Sequence, residues 1–327
     1  MATLFERGAS SGTVEHAGAV TGRANGKVIL LGEHAVVYGS PAIALGLTSG
    51  AEASVRRAER STLSIGTGER MTSSQQGASD EPLAMRALRE LLVSLDAPPV
   101  DATTVLAIPA GAGLGASAAL GVALARAVTT LSGSAAPGSI GRAALAWENV
   151  FHGNASGIDT AAAEHGGCLW FTRQAGVSRL LLGRSLQLVV ALVEPGASTR
   201  LMVEAVAERR RQDPEGVARV MAAIEGLVQA ARQALAAGAC PELGSLMLKN
   251  QELLVELGVS TPGLDRACRL ALDRGALGAK LTGAGGGGCV IALVDSETRS
   301  GVLDAWQRVG FGCFEARAEP DGANVLG

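Results

Sequence analysis

Several features that would assign a protein to a class at once are scarce or missing in this sequence of 327 residues. No apolar run approaches the roughly 20 residues needed to span a bilayer. Polar residues stand near the amino terminus, where a secretory signal would be apolar. We therefore expect a cytoplasmic protein that does not enter a membrane. The five cysteines are scattered, odd in number and without Cys-x-x-Cys spacing, so neither a disulfide framework nor a zinc site is indicated.

An excess of basic residues is also missing. The chain has 28 Lys+Arg against 31 Asp+Glu, and the basic residues form no long patch that would neutralise a nucleic-acid backbone. Nucleic acid is therefore not an expected partner. With 47% hydrophobic and 18% charged residues the chain can build real cores. Its length favours two domains, which we divide just before an expected strand at Leu186, into residues 1–185 and 186–327.

Glycine, by contrast, is abundant. The 44 glycines are about twice the usual share of ~7%, and many of them lie in three clusters. Glycine lets the backbone approach another group closely because it has no Cβ. The clustering therefore indicates loops that pack against a ligand.

Apolar spacing predicts the principal elements. We expect helices at residues 82–95, 116–131, 139–150 and 301–309, and mostly helical structure over residues 199–274. Strands are expected at residues 27–31, 103–108, 168–171, 186–193, 289–294 and 311–316. The strand at residues 103–108, the glycines that follow it and the next helix form a typical phosphate-binding arrangement.

The glycine-rich segment at residues 108–119 reads Ile-Pro-Ala-Gly-Ala-Gly-Leu-Gly-Ala-Ser-Ala-Ala. Its glycines would let backbone N–H groups turn toward a phosphate, and the helix that follows would direct its positive end to the same point. No Gly-Lys-Ser/Thr follows, so the segment is not a Walker A loop, and it does not match the dinucleotide pattern. The alternative interpretation is a helix start with tight backbone packing.

Two carboxylates make phosphoryl transfer a specific hypothesis. Glu148 and Asp159 are eleven positions apart (148 to 159) and are separated by a glycine turn, so they could serve different tasks. One could hold Mg²⁺ and the other could accept a proton from an acceptor hydroxyl. The alternatives are a solvated helix face for Glu148 and a helix N-cap for Asp159.

Four segments in order resemble the motifs of the mevalonate kinase family, within the superfamily that also contains galactokinase, homoserine kinase and phosphomevalonate kinase. They are residues 26–44 with Gly-Glu-His at 32–34, the glycine-rich segment at 108–119, His-Gly-Asn-Ala-Ser-Gly-Ile-Asp at 152–159, and Lys-Leu-Thr-Gly-Ala-Gly-Gly-Gly-Gly-Cys at 280–289. The sequence departs from the family pattern at Ala116, where a second serine is more frequent, and at Asn25, where proline is common. These two departures could alter nucleotide affinity.

The resemblance implies a mixed α/β fold of two domains, ribosomal-protein-S5-like and ferredoxin-like, with the active site in the cleft between them. It implies ATP and Mg²⁺ as cofactors, Asp159 and Lys27 as catalytic residues, and Ser117 and Glu148 as metal ligands. It implies that the nucleotide contacts Pro109, Ala110, Gly111, Ala112, Gly113, Leu114, Gly115, Ala116, Ser117 and Gly285. Lys27 could alternatively be a surface lysine before a strand.

For the substrate, the resemblance implies mevalonate, bound by Glu33, His34 and Thr199. The alternatives are a buried, hydrogen-bonded role for His34 and a helix N-cap role for Thr199. The expected reaction phosphorylates the 5-hydroxyl of mevalonate. The rival interpretations are a sibling kinase for another hydroxylated small molecule and a non-catalytic ligand-sensing homologue. The family often forms homodimers, and no sequence feature decides that state here.

Overall fold

A computed structural model describes residues 18–66, 71–72, 81–133, 136–153, 155 and 157–320. Two sheets and a set of helices account for most of these residues, in agreement with the expected mixed α/β class. Strands of the first sheet all precede residue 180, and strands of the second all follow residue 185. The division of the chain at Leu186 stays a prediction.

The first part of the described chain contains seven strands, a short 3-10 helix and four α-helices. The strands are β1 (Val20–Leu31), β2 (Ala42–Arg57), β3 (Thr62–Ile65), β4 (Met71–Thr72), β5 (Val100–Leu106), β6 (Cys168–Thr172) and β7 (Gly176–Arg179). The 3-10 helix is Ala35–Tyr38, and the α-helices are α1 (Leu83–Ser94), α2 (Ala116–Ser132), α3 (Ser139–His152) and α4 (Ile158–His165).

The long strand β2 organises this first sheet. It pairs antiparallel with β1, β5 and β6, and the sheet order is β4-β3-β5-β2-β6-β7 with β1 paired to β2 outside that path. A register shift between Asn25 and Gly26 interrupts the β1–β2 ladder just before Lys27. Such a bulge bends a strand and re-aims its side chains.

The second part contains β8 (Leu186–Glu194), α5 (Thr199–Gln212), α6 (Pro214–Ala237), α7 (Cys240–Glu256), α8 (Pro262–Leu272), β9 (Gly278–Thr282), β10 (Gly288–Val294), α9 (Arg299–Arg308) and β11 (Gly312–Ala318). Its sheet is antiparallel in the order β11-β8-β10-β9. Proline opens α6 and α8, where a missing N–H costs nothing, and Asp213 and Thr261 cap those helices through their side chains.

Small side chains allow α2 to lie close to β1. The buried face of α2 is rich in alanine, and a Cβ added to Gly22 of β1 would lie 2.2 Å from the carbonyl oxygen of Ala123. The end of β1 belongs instead to the largest core, where Val28 and Leu30 join the apolar residues of β8 and β10. Strand β1 therefore packs against α2 at its beginning and joins the largest core at its end, which fixes the position of the residues that follow.

The predicted helices are confirmed to within a few residues, and the strand expected at 103–108 begins earlier, at Val100. The sequence did not predict β2, β3, β7 or β9. All five cysteines are free thiols, and four of them are buried, as expected for small core residues. Among the described residues, no helix is long and apolar enough to cross a membrane.

Candidate active site

Residues 109–115 form a tight glycine turn between β5 and α2. Gly111, Gly113 and Gly115 all have φ near +75°, a conformation that is strained for residues with a Cβ. The turn is tied to β1 because the backbone N–H of Lys27 donates to the carbonyl oxygen of Leu114 at 2.9 Å. Helix α2 begins directly after the turn, so its positive end and several backbone N–H groups lie at one place.

The third glycine cluster, residues 283–288 between β9 and β10, packs against this turn from the second sheet. The thiol of Cys289, at the start of β10, donates to the carbonyl oxygen of Ala112 at 3.1 Å. Burial raises the pKa of Cys289 to about 12, which keeps that donor protonated. Gly285 itself has φ +77° and lies against the backbone of Val259, where a Cβ would not fit. Its contact with a nucleotide stays a prediction.

Ser117 and Glu148 form a hydrogen-bonded pair in which Glu148 is buried and Ser117 is half-buried. Ser117 lies in the first turn of α2 and donates its hydroxyl to Oε1 of Glu148 on α3, while Trp147 donates its indole N–H to the same hydroxyl oxygen at 3.3 Å. Glu148 is only 3% exposed, so the alternative of a solvated helix face is wrong. Burial raises the pKa of Glu148, and the hydrogen bond from Ser117 opposes that shift.

Lys27 and Asp159 form an ion pair, with Nζ 3.2 Å from Oδ1. The lysine also donates to the carbonyl oxygen of Gly113 at 3.1 Å. Its side chain is 6% exposed, so it is not a surface lysine. Asp159 is 39% exposed at its side chain and follows Ile158, the first residue of α4, whose N-cap is Gly157. The N-cap alternative for Asp159 is therefore wrong.

The Gly-Glu-His turn at the end of β1 is held by residues of the second part of the chain. The carboxylate of Glu33 accepts hydrogen bonds from Nζ of Lys280 on β9 and, at 3.3 Å, from Nδ2 of Asn250 on α7. Nε2 of His34 donates to the carbonyl oxygen of Ala284 at 2.8 Å. Burial lowers the pKa of His34, so the ring is neutral at pH 7.

Glu33 and His34 are each less than 6% exposed. His34 thus has the buried, hydrogen-bonded surroundings of the alternative interpretation, and the substrate contacts of Glu33 and His34 stay predictions.

Thr199 is exposed and is the first residue of α5. It is not the helix cap, because the hydroxyl of Ser198 accepts the N–H of Leu201 at 3.3 Å. The segment before it contacts the third glycine cluster, since the N–H of Ala197 donates to the carbonyl oxygen of Gly286 at 3.0 Å. The start of α5 therefore lies beside the third glycine cluster. Asn154 and Ser156, in the His-Gly-Asn motif, lie outside the described residues.

Comparison with known proteins agrees with this geometry. The GHMP kinases N terminal domain family matches residues 82–167, and the GHMP kinases C terminal family matches residues 231–311. A mevalonate kinase of Methanothermobacter thermautotrophicus is 37% identical over 268 residues, which cover 81% of this chain and 87% of that protein. The mevalonate kinase of Bos taurus is 32% identical, with 92% of this chain and 93% of that protein covered.

This chain belongs to the mevalonate kinase family.

Solved structures give the same assignment to the mevalonate kinase fold. The L. major mevalonate kinase in complex with R-mevalonate superposes with a TM-score of 0.81 at 28% identity, covering 94% of this chain and 98% of that one. The Methanococcus jannaschii mevalonate kinase gives a TM-score of 0.79 at 26% identity. The expected two-domain small-molecule kinase fold is therefore confirmed.

Sequence reasoning did not assign a role to Lys280 or Asn250, although both contact Glu33 in the structure. The sequence did contain an indication for Lys280. A lysine directly before the Leu-Thr-Gly-Ala-Gly segment places a charge in an otherwise apolar stretch, and such a charge needs a partner when it is buried. Asn250 carried no such signal. Its role depends on a contact between residues more than two hundred positions apart.

Proposed function

We propose that this protein transfers the γ-phosphoryl group of ATP to the 5-hydroxyl of mevalonate, giving 5-phosphomevalonate and ADP. The observation that carries the proposal is the double contact of Lys27. Its ammonium group lies 3.2 Å from Oδ1 of Asp159 and donates to Gly113 in the glycine turn at 3.1 Å. The ammonium group of Lys27 therefore contacts both Asp159, the proposed proton acceptor, and the glycine turn, the proposed phosphate site.

In this proposal Asp159 orients the acceptor hydroxyl and accepts its proton. Its partial exposure leaves one face of the carboxylate open to a substrate. Lys27 favours the ionised form of that carboxylate and balances the negative charge that gathers on the transferred phosphoryl group. Because phosphoryl transfer proceeds through a loose transition state, positioning and electrostatics matter more than strong activation of the hydroxyl.

Ser117 and Glu148 fit a magnesium site. Mg²⁺ prefers oxygen ligands and usually takes one or two carboxylates together with substrate phosphates. The serine hydroxyl and the glutamate carboxylate are already in contact, beside the turn that would hold the phosphates. A bound Mg²⁺ would neutralise charge on the β- and γ-phosphates. The backbone of residues 109–117 would hold the triphosphate.

Glu33, His34 and Thr199 are proposed to line the mevalonate pocket. His34 and the start of α5 both contact the third glycine cluster, which supports a common cleft. A cytoplasmic location and a homodimeric state are expectations of the family resemblance.

The charges in this region favour an unphosphorylated substrate over phosphomevalonate. The phosphate group of phosphomevalonate would need its own cation in the substrate pocket. Lys280 is the basic side chain next to Glu33, but it is wholly buried and neutralised by that glutamate. It is therefore not available to a substrate phosphate. Arg200, next to Thr199, is the basic side chain that remains there, and it lies 3.7 Å from Glu204.

A coupled assay of ADP release tests the proposal. Mevalonate, phosphomevalonate, homoserine and galactose are offered separately with Mg·ATP, and the Asp159→Asn variant serves as the control for contaminating kinases. Mevalonate-dependent ADP release that is lost in the variant supports the proposal. A higher kcat/KM for another member of the panel would overturn the substrate assignment.

A further inference from the structure

The carboxyl end of α4, the helix that begins beside Asp159, is held by side chains from three other elements. The last carbonyl groups of a helix have no partner within the helix. In α4, Gly166 satisfies Ala162 through its backbone N–H at 3.0 Å. Side chains satisfy the next three carbonyl groups: Asn25 on β1 bonds Ala163 at 3.3 Å, Arg126 on α2 bonds Glu164, and Arg179 on β7 bonds His165 at 3.0 Å.

Arg126 also makes a second bond, to a different element. Its Nη1 donates to the carbonyl oxygen of Arg23 in β1 at 2.5 Å, while its Nη2 bonds the end of α4. A guanidinium group can do this because its N–H donors have a fixed planar geometry. One side chain on α2 therefore joins α2, α4 and β1.

These three elements carry three of the proposed catalytic and metal-binding residues, and the fourth, Glu148, lies on α3. Helix α2 carries Ser117, α4 carries Asp159 and β1 carries Lys27. Along α2, Arg126 lies about 14 Å from Ser117, and along α4 the bonded carbonyl lies about 8 Å from Asp159. Arg126 thus lies away from the reacting atoms but joins its own helix to the two elements that carry Lys27 and Asp159.

The contact is also electrostatically favourable. The carboxyl end of a helix carries a partial negative charge, which a guanidinium group offsets. Partial burial lowers the pKa of Arg126, and the negative charge of Glu164 opposes that shift. Hydrogen bonds from an ionised donor are stronger and more directional than neutral ones. Loss of the guanidinium would remove this donor from the carbonyl oxygens of Glu164 and Arg23 and would leave Asn25 and Arg179 to hold the end of α4, so its position against β1 would be less firmly fixed.

We propose that Arg126 is a positioning residue, which fixes α4 against β1 and α2 and so holds Asp159 at Lys27 and at the acceptor hydroxyl. This inference rests on the proposed function. It requires that loss of Arg126 affects the reacting step more than the binding of either substrate. The glycine turn and the Gly-Glu-His turn are held by other contacts, through Leu114 and Lys280.

The test compares Arg126→Met and Arg126→Lys with the parent protein. We expect Arg126→Met to lower kcat by about 10- to 100-fold, the size of effect that a small misplacement of a reacting group produces, with both KM values within about 3-fold of the parent. Arg126→Lys keeps a cation that can make one of the two bonds, so it should recover part of kcat. Arg142→Met is the matched control, because Arg142 is exposed on α3 and donates to the carbonyl oxygen of Pro137, in the segment just before its own helix.

A double-mutant cycle with Asp159→Asn separates positioning from a general loss of structure. If Arg126 acts through Asp159, Arg126→Met should change the residual rate of Asp159→Asn by less than about 3-fold, because effects of residues that act as one unit are not additive. A full additional loss in that background would overturn the inference. Equal effects of Arg126→Met and Arg142→Met would also overturn it.

Hydrogen exchange gives a readout that does not depend on activity. Arg126→Met should increase amide exchange in residues 158–165 relative to the parent and to Arg142→Met, with α7 unchanged. Unchanged exchange in α4 would overturn the inference whatever the substrate. If the parent released no ADP with mevalonate, the proposed function would fail separately, and the cycle would be measured with the panel substrate that is active.

Discussion

The buried ion pair between Glu33 and Lys280 leads to a quantitative prediction for Lys280→Met. Both side chains are almost completely inaccessible, and Nζ of Lys280 also donates to the carbonyl oxygen of Leu281 at 2.5 Å. Burial lowers the pKa of Lys280, while the charge of Glu33 opposes that shift. Methionine keeps most of the volume but removes the ammonium group. The carboxylate of Glu33 is then buried with Asn250 as its remaining hydrogen-bond donor among the described contacts.

Removal of one partner from a buried pair typically costs about 3–5 kcal/mol, because the other charge is left uncompensated. That is a large part of the roughly 5–15 kcal/mol by which a domain is stable. With a shift of 2–4 °C per kcal/mol for a domain of 150–250 residues, the melting temperature should fall by roughly 6–20 °C.

The double variant Glu33→Gln/Lys280→Met should recover most of this loss. It leaves no buried charge, and the glutamine oxygen can still accept from Asn250. We therefore expect a melting temperature closer to the parent than to Lys280→Met. Recovery of stability need not restore the KM for mevalonate, because Glu33 is also a proposed substrate residue.

Thermal unfolding followed by circular dichroism measures these differences. Lys249→Met is the control, since Lys249 is exposed on α7 and its replacement should change the melting temperature little. A Lys280→Met protein that melts within about 2 °C of the parent would contradict the expected loss of stability. So would a double variant that is no more stable than Lys280→Met.

Other predictions concern the remaining charges. Glu148→Gln should keep the fold but raise the Mg²⁺ concentration for half-maximal rate about 10-fold or more, and an unchanged Mg²⁺ titration would remove Glu148 from the metal site. The Mg²⁺ requirement of the parent should rise as the pH falls, because protonated Glu148 is a poor metal ligand. Since the pKa of Glu148 is raised, this rise should begin at a higher pH than for an ordinary glutamate, and Glu148→Gln should lack it. As the pH falls below the ordinary histidine pKa, His34 takes up a proton in the unfolded chain but stays neutral in the folded protein, because its pKa there is lowered. Stability should therefore fall below about pH 6.5 by at most ~1.4 kcal/mol per pH unit. The slope should be smaller in His34→Asn, which also tolerates a positive φ. His34→Ala should raise the KM for mevalonate more than that for ATP, and equal changes would indicate a purely structural role. Asp159→Asn should reduce turnover by ~10²–10⁴-fold with little change in ATP-analogue binding, and its effect should be much less than additive with Lys27→Met.

Local patterns predicted most of the helices but not the longest strand. Helices α2 and α3 were predicted almost to the residue, because their apolar spacing ends at glycines with positive φ. Strand β2 was missed. Its sequence contains Gly46 and Gly50, which weaken a strand pattern, yet both are required where other backbone segments approach closely. A Cβ at Gly50 would lie 2.0 Å from the carbonyl oxygen of Ala24.

The site could be predicted from the sequence only where family motifs carried it. The resemblance brought together Lys27 and Asp159, which the structure places in contact. It gave no role to Lys280 or Arg126, whose contacts join residues that are far apart in the chain. Such contacts depend on the packing of whole elements, and no period or spacing in the sequence encodes them.

The structure also changes how the two carboxylates should be interpreted. The sequence assigned separate tasks to Glu148 and Asp159, but their charges act on each other. Burial is the largest cause of the raised pKa of Glu148; the negative charge of Asp159 adds to the shift, and the positive charge of Lys27 opposes it by a smaller amount. Loss of Lys27 would therefore make Glu148 harder to ionise, besides removing the partner of Asp159. A fall in turnover for Lys27→Met thus combines a weaker metal site with a weaker proton acceptor. The two effects separate when turnover is measured at saturating Mg²⁺, because excess metal restores the first effect and leaves the second.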